Sequence, residues 1–278
     1  MELKAFIEKY RAEVIKSKTN PKIISWSKLS EKKYRDSLCL FAADGIKLAQ
    51  EALLYADVQF LAVSEKAVLN DIALPAADEA AHLNVQTVLL PDPTFEKITD
   101  EKAPQGVVAI VKYSDKLHKK SGFAEWQRGK RLIMLNEIRD PGNLGTILRS
   151  AEAFGAGGAI LSGCADIYNK KTVRAAMGTL FRFPLYITSD GVECAKIMKE
   201  SGRRVIAATL GDNTLTLGEY EINLSDCTVI GNEGHGISKD LLNECTAYLR
   251  IPMAGKAESL NAASAATCVL WEYFRKQI

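Results

Sequence analysis

The chain has 278 residues, 47% of them hydrophobic and 25% charged, with a formal net charge of +2. That is enough apolar material for one large domain or two medium ones, while so small a net charge neither requires nor excludes a nucleic-acid partner. No apolar run reaches membrane-spanning length, the charged amphipathic start MELKAFIEKYRAEVIK is not a signal peptide, and the six cysteines are too scattered for a disulfide framework.

The three histidines, His82, His118 and His235, have no metal-ligand spacing, so no metal is expected. Free cysteines and no membrane segment point to the cytoplasm. Charge is uneven along the chain. Met1 to Arg35 carries ten basic and four acidic residues, netting +6, and the remainder nets −4. With Tyr10, Trp26 and Tyr34 interleaved, this arm suits a polyanion; for any single lysine a solvated helix face is an equal reading.

Ala5, Ile7, Tyr10, Val14 and Ile15 predict a first helix, closed before Asn20-Pro21. A short strand LCLF follows, then a helix opening at Asp44-Gly45. VQFLAV, QTVLL and GVVAIV read as strands, and Pro75, Pro91, Pro93 and Pro104 punctuate the loops. This α/β order fills a first domain, residues 1–113. SDKLHKKSGFAEWQRGKR is polar, basic and without sustained period, so residues 114–130 read as a linker.

The α/β rhythm restarts over residues 131–278. RLIML, GGAILS and PLYIT read as strands, and so do RRVIAAT, CTVIG and AYLRI, whose near-continuous hydrophobicity predicts burial on both faces. Helices are predicted over NLGTILRSAEAFG, Lys170 to Ala176 and Cys194 to Glu200, and a last one from Ser259 or Leu260. The architecture expected is a mainly parallel sheet covered by helices on both faces.

Three turns carry polar chemistry. In NEIRDPGNLGTILR, Asn143 is a good N-cap, which a plain capped helix would explain. Arg149 lies about 140° off the apolar stripe at 3.6 residues per turn, and looks back along its row over Gly145 and Gly142. Its guanidinium could reach a phosphate at the helix start; a solvated arginine is the other reading. In VIGNEGHGIS, three glycines surround Asn232, Glu233 and His235, which implies unusual backbone or a ligand in close approach. It is neither a nucleophile elbow nor a dinucleotide fingerprint. In IPMAGKAESLNAASAA, a strand ends in proline and a small-residue turn gathers Lys256, Glu258, Ser259 and Asn261 before a helix. Strand ends feeding helix starts are where open α/β sheets bind ligands.

In this order the three turns resemble the SpoU/TrmH branch of the SPOUT methyltransferases, from Arg131 to the C-terminus. The first motif of that family matches Asn143 and Arg149. The second, G-x-E-x-x-G, matches Gly231, Glu233 and Gly236. The third matches Ile251, Pro252, Met253, Ser259, Leu260 and Asn261, although Ala262, Ala263 and Ser264 replace its usual valine-rich continuation. FAADGIKLAQEAL and APQGVVAIV are similar to the small ribosomal-protein-like RNA-binding domain often found ahead of it, with Asp44 where a glutamate is more usual.

The resemblance implies a deep C-terminal trefoil knot, a homodimer through the C-terminal domain, and methyl transfer from S-adenosylmethionine to a ribose 2′-hydroxyl in structured RNA. Ribosomal RNA is favoured over transfer RNA by the two-domain layout. It implies that Thr209, Leu210, Gly211, Ile230, Gly231, Ile251, Met253 and Leu260 hold the cofactor. Arg149 is implied to activate the hydroxyl, with Asn143, Glu233, Ser259 and Asn261 arranging it. A guanidinium stays protonated, so clamping phosphate and stabilising an alkoxide suit Arg149 better, and His235 is the rival base on ordinary pKa grounds. Lys170, Lys171 and Arg174 are basic candidates for RNA backbone contact. The alternatives are a base-nitrogen methyltransferase, disfavoured by the SLN motif and the Asn-to-Arg spacing, and a non-catalytic RNA-binding protein, which would be expected to lack one of the five catalytic residues.

Overall fold

The computed structural model describes residues 1–114, 118–210, 214–223, 225–276 and 278. The chain divides into two compact units, one of Met1–Ser114 with Tyr168–Arg182, the other of Asp115–Ile167 with Phe183–Ile278. The first unit thus takes in the Lys170–Ala176 helix, which the sequence reading had placed within 131–278.

In the first unit, strands β1 (Glu13–Val14), β2 (Leu40–Asp44), β3 (Val58–Ser64), β4 (Gln86–Leu90) and β5 (Val107–Lys112) form one sheet in the order β1-β4-β3-β5-β2. β5 runs antiparallel to β2 and β3, while β1 and β3 run parallel to β4. Ile23, Trp26, Leu29, Phe95 and Ile98 pack with Val88, Val108 and Ile110 as one apolar cluster. The helix predicted through Ile15 ends at Tyr10, where Arg11 turns left-handed at φ 48°. Val14 then pairs with Leu89, and the Ile15 N–H donates to the Leu89 carbonyl at 3.1 Å. The open edge of β4 offers these β-branched residues a ladder, which outweighs their helical spacing.

Half of the arm's ten basic residues are engaged within the fold. Trp26 and Tyr10 are buried. Lys9 pairs with Asp78 at 2.9 Å, Lys22 with Glu13 at 2.5 Å and Lys33 with Glu31 at 3.2 Å; Lys32 pairs with Asp36. Buried Arg35 donates to the carbonyls of Leu29 and Ser30 at 2.8 and 2.7 Å.

The second unit holds β6 (His118–Lys119), β7 (Leu132–Asn136), β8 (Gly158–Ser162), β9 (Leu185–Thr188), β10 (Val205–Ala208), β11 (Leu215–Thr216), β12 (Cys227–Ile230) and β13 (Ala247–Arg250). Their order is β11-β13-β10-β12-β7-β8-β9-β6, and every pairing is parallel. β7, β8 and β12 are buried at every position, as their unbroken apolar runs require. The stretch read as a linker is partly built into this unit. Phe123 packs at 4.8 Å from Tyr186, and Arg203 donates to the Gln127 side chain at 3.1 Å. Two aromatics, Phe123 and Trp126, anchor a segment that is otherwise mostly polar.

A parallel sheet puts all its strand carboxyl ends on one edge. From β7 the chain leaves by the Pro141–Ala153 helix toward β8 on one side; from β12 it leaves toward β13 on the other, beyond β10. The loops after β7 and β12 therefore diverge, and such a divergence leaves a crevice at the carboxyl edge.

Among the described residues, no helix is long and apolar enough to cross a membrane, and no three His, Cys, Asp or Glu side chains are grouped to hold a metal.

Candidate active site

The Pro141–Ala153 helix is capped by Asp140, whose Oδ1 accepts the Asn143 N–H at 2.7 Å, with Pro141 pre-set for the first turn. Asn143 is thus not the cap the sequence suggested. Asp140 takes that task because its side chain lies one turn earlier, and the Asn143 amide is left to face the crevice. It donates from Nδ2 to Glu233 Oε1 at 2.7 Å. Its Oδ1 accepts Asn261 Nδ2 at 3.0 Å. Asn261 in turn caps the last helix, Ala262–Arg275, accepting the Ala263 and Ser264 N–H groups on Oδ1 at 2.9 and 3.4 Å. That helix begins later than Ser259 or Leu260, because Asn261 stays extended to cap it. The chain of bonds runs one way, from helix N–H groups through two asparagines to one carboxylate oxygen. It links residues 90 and 118 positions apart.

The turn after β12 is unusually tight. Asn232 and Gly236 exchange both backbone bonds, at 2.9 and 3.0 Å. A Cβ on Gly231 would sit 2.4 Å from the Gly236 carbonyl carbon and 2.6 Å from the Ile237 nitrogen, so only glycine fits there. Gly236 has φ +68°, which an L side chain rarely adopts.

Beside these bonds lies a cleft of about 390 Å³. Thr209, Leu210, Ile230, Gly231, Ile251, Met253 and Leu260 line it, as do Glu233 and Ser259. Of the cofactor residues named from the sequence, Gly211 falls outside the described residues. Asn143 joins the cleft through its bond to Glu233, and Asn261 through its bond to Asn143. Arg149 does not enter this group. It lies six residues along the helix from Asn143, about 9 Å of axial rise. It is exposed, and no hydrogen bond or ion pair holds it among the described residues. His235 is also exposed, its N–H donating to Asn232 Oδ1 at 3.1 Å.

The basic trio belongs to the first unit. Lys170 pairs with Asp100 at 2.5 Å and Arg174 pairs with Glu101. Exposed Lys171 has no such partner among the described residues. These residues edge a cavity of about 220 Å³ that also includes Asp44. Burial pushes the Asp44 carboxyl up, against a hydrogen bond from Thr99.

The sequence reading left Asn232 and Glu258 out of the cleft lining. Glu258 stood in the third turn. For Asn232 the available signal was an asparagine among glycines, the residue that closes a turn on its own backbone.

Known proteins share this chain's sequence and fold. Residues 130–271 match the model of the SpoU rRNA Methylase family, and residues 20–109 match an MRM3-like substrate binding domain. The chain is 30% identical over 258 residues to the 23S rRNA (guanosine(2553)-2′-O)-methyltransferase RlmP of Bacillus subtilis, covering 92% of this chain and 97% of that one. It is 32% identical over 202 residues to the 23S rRNA (uridine(2479)-2′-O)-methyltransferase of Streptomyces viridochromogenes, covering 69% and 68%. A crystal structure of an AdoMet-bound rRNA methyltransferase from Sinorhizobium meliloti superposes with a TM-score of 0.80 at 30% identity, covering 96% and 99%.

Proposed function

Since the chain belongs to the SpoU rRNA Methylase family, we propose that it transfers a methyl group from S-adenosylmethionine to a ribose 2′-hydroxyl in structured RNA, ribosomal RNA foremost. The observation that carries this is the cleft at the sheet's carboxyl edge, where the loops after β7, β12 and β13 meet through Glu233, Asn143 and Asn261. The choice of ribosomal over transfer RNA follows the two 23S rRNA enzymes it resembles.

The cleft fits the cofactor. Its volume is that of a small-molecule site, its walls are apolar at Ile230, Ile251, Met253 and Leu260, and Gly231 leaves backbone open where a side chain would block it. Thr209, Leu210, Ile230, Gly231, Ile251, Met253 and Leu260 would hold it, and Gly211 is added by its motif position. The sulfonium supplies a strongly electrophilic methyl group. What the protein must add is alignment of the 2′-oxygen and stabilisation of charge growing on it. Glu233 is held by Asn143 through Oε1, which leaves its other oxygen to orient a hydroxyl or an amine in the cleft. Ser259 offers a hydroxyl from the facing loop. Arg149, with no partner among the described residues, is free to clamp an RNA phosphate and steady the alkoxide.

Arg149→Ala is expected to lower methyl transfer onto ribosomal RNA by roughly 10²–10³-fold, with calorimetric binding of S-adenosylmethionine retained. His235→Ala should keep most of its activity. An active arginine variant beside a dead histidine variant reverses the assignment.

The first unit, with Lys171 exposed and Lys170 and Arg174 beside it, receives the RNA in this reading. The knot implied by the motifs belongs to this reading as well. A homodimer would use the outer face of the last helix. Trp271 is 46% exposed there and makes ring contacts with Phe154 and Phe274 at 5.8 and 5.9 Å, whereas Leu270 turns into the core. Sedimentation of the wild-type chain against Trp271→Glu tests this; a monomeric wild type refutes it.

A further inference from the structure

We infer that Asn232 is a positioning residue that fastens the loop after β12 to the loop after β7, and so places Glu233 against Asn143. The inference rests on the methyl-transfer reading of that pair. Asn232 Nδ2 donates to the Glu137 carbonyl at 2.8 Å across 95 residues of sequence. Its Oδ1 accepts the N–H groups of Gly234 and His235 at 2.8 and 3.1 Å. The amide can point only one way: flipped, its NH₂ would face two N–H donors and its oxygen a carbonyl.

Both loops need such a tie. Glu137 is a non-glycine residue at φ +58°, a backbone conformation that surrounding contacts must hold in place. Its N–H is fixed to the Ser162 carbonyl at 2.8 Å, and its own carbonyl is what Asn232 grips. Three residues on, Asp140 caps the helix that carries Asn143. On the other side, Glu233 directly follows Asn232. The bond from Asn143 to Glu233 is therefore the far side of a loop-to-loop contact whose near side is the Asn232–Glu137 bond. Losing the near side frees both ends of the far one. A second strut, from Asn136 Oδ1 to the Ser238 N–H, is at 3.2 Å the longer of the two.

Two substitutions separate this role from mere turn closure. Asn232→Asp keeps an acceptor for Gly234 and His235 but sets an oxygen against the Glu137 carbonyl. Asn232→Ala removes both functions. Asn232→Asp should lower kcat at least about ten-fold, within the range set by ångström-scale misplacement of reacting groups. In hydrogen exchange, Asn232→Asp should speed peptide 137–143 while leaving 231–238 protected; Asn232→Ala should speed both. Wild-type exchange in peptide 137–143 of the aspartate variant overturns the inference, whatever its activity. So does a wild-type kcat. Should the wild-type chain transfer no methyl group to any ribosomal RNA, the functional reading falls, and the exchange measurement still decides whether Asn232 ties the loops.

Discussion

In the first unit, charged side chains find each other: Lys22 meets Glu13, Lys170 meets Asp100, and Arg182 meets Glu51. At the carboxyl edge of the second, among the described residues, Glu233 is met only by a neutral amide, and Arg149 lies exposed with no partner. The contrast follows from the sheets. A mixed sheet sends its strand ends to both edges, so its polar loops are dispersed and pair locally. An all-parallel sheet sends every carboxyl end to one edge, where polar loops gather; Arg139 pairs with Glu137 there at 3.0 Å, while Arg149 has no partner among the described residues. Unspent polar capacity beside an apolar cleft marks where chemistry is done. The first unit's paired charges are weak stabilisers individually, about 0–1 kcal/mol each at a surface.

The most severe test of this contrast is Gly231→Ala. The added carbon would meet the backbone of Gly236 and Ile237 at 2.4–2.7 Å, which cannot yield as a flexible side chain would. Methyl transfer should fall more than about 10²-fold, and S-adenosylmethionine binding by calorimetry should be lost with it. A variant that binds the cofactor normally would show that the cleft is not the site, and the contrast would lose its functional meaning.

Lys171 gives a middle-sized effect. If Lys170 and Arg174 are committed to Asp100 and Glu101, Lys171→Ala alone should lower the slope of log K against log salt for RNA binding by roughly 0.7–0.9, one phosphate contact. Lys170→Ala and Arg174→Ala should each change it by less than half as much. Equal changes in all three would mean that RNA displaces the acidic partners. An unchanged slope in the triple variant would take this helix out of the interface.

The smallest effect concerns Asp44. Burial raises its carboxyl above the ordinary value despite the nearby Lys170 and Arg174. A raised folded-state pKa means stability that is full at acid pH and declines as pH rises through that pKa. Asp44→Asn should therefore raise Tm at pH 7, with the gap closing at acid pH where both side chains are neutral. A lower Tm for the asparagine variant at pH 7 would show that attraction to the two cations outweighs burial.

The positions of strands β7, β8, β12 and β13 could be read from unbroken apolar runs, and the Lys170–Ala176 helix was bounded from sequence at both ends. Those are short-range signals. Where the reading failed, a distant partner competed with a local preference. Val14 left its helical period because the edge of β4 was open, and Asn143 yielded the cap to Asp140 and turned to Glu233. Phe123 and Trp126 pulled a polar segment into a core that its composition did not announce.

Residue order and periodicity were enough to settle the α/β class, the burial of β12 and the three polar turns, because each depends on neighbours a few positions apart; β13, expected to be buried on both faces, has only Leu249 buried because it lies toward the sheet's edge. That Glu233, Asn143 and Asn261 meet, and that Arg149 stands apart from them, required the folded chain. Contacts across 90 and 118 residues depend on strand order and crossover direction, which no local pattern encodes.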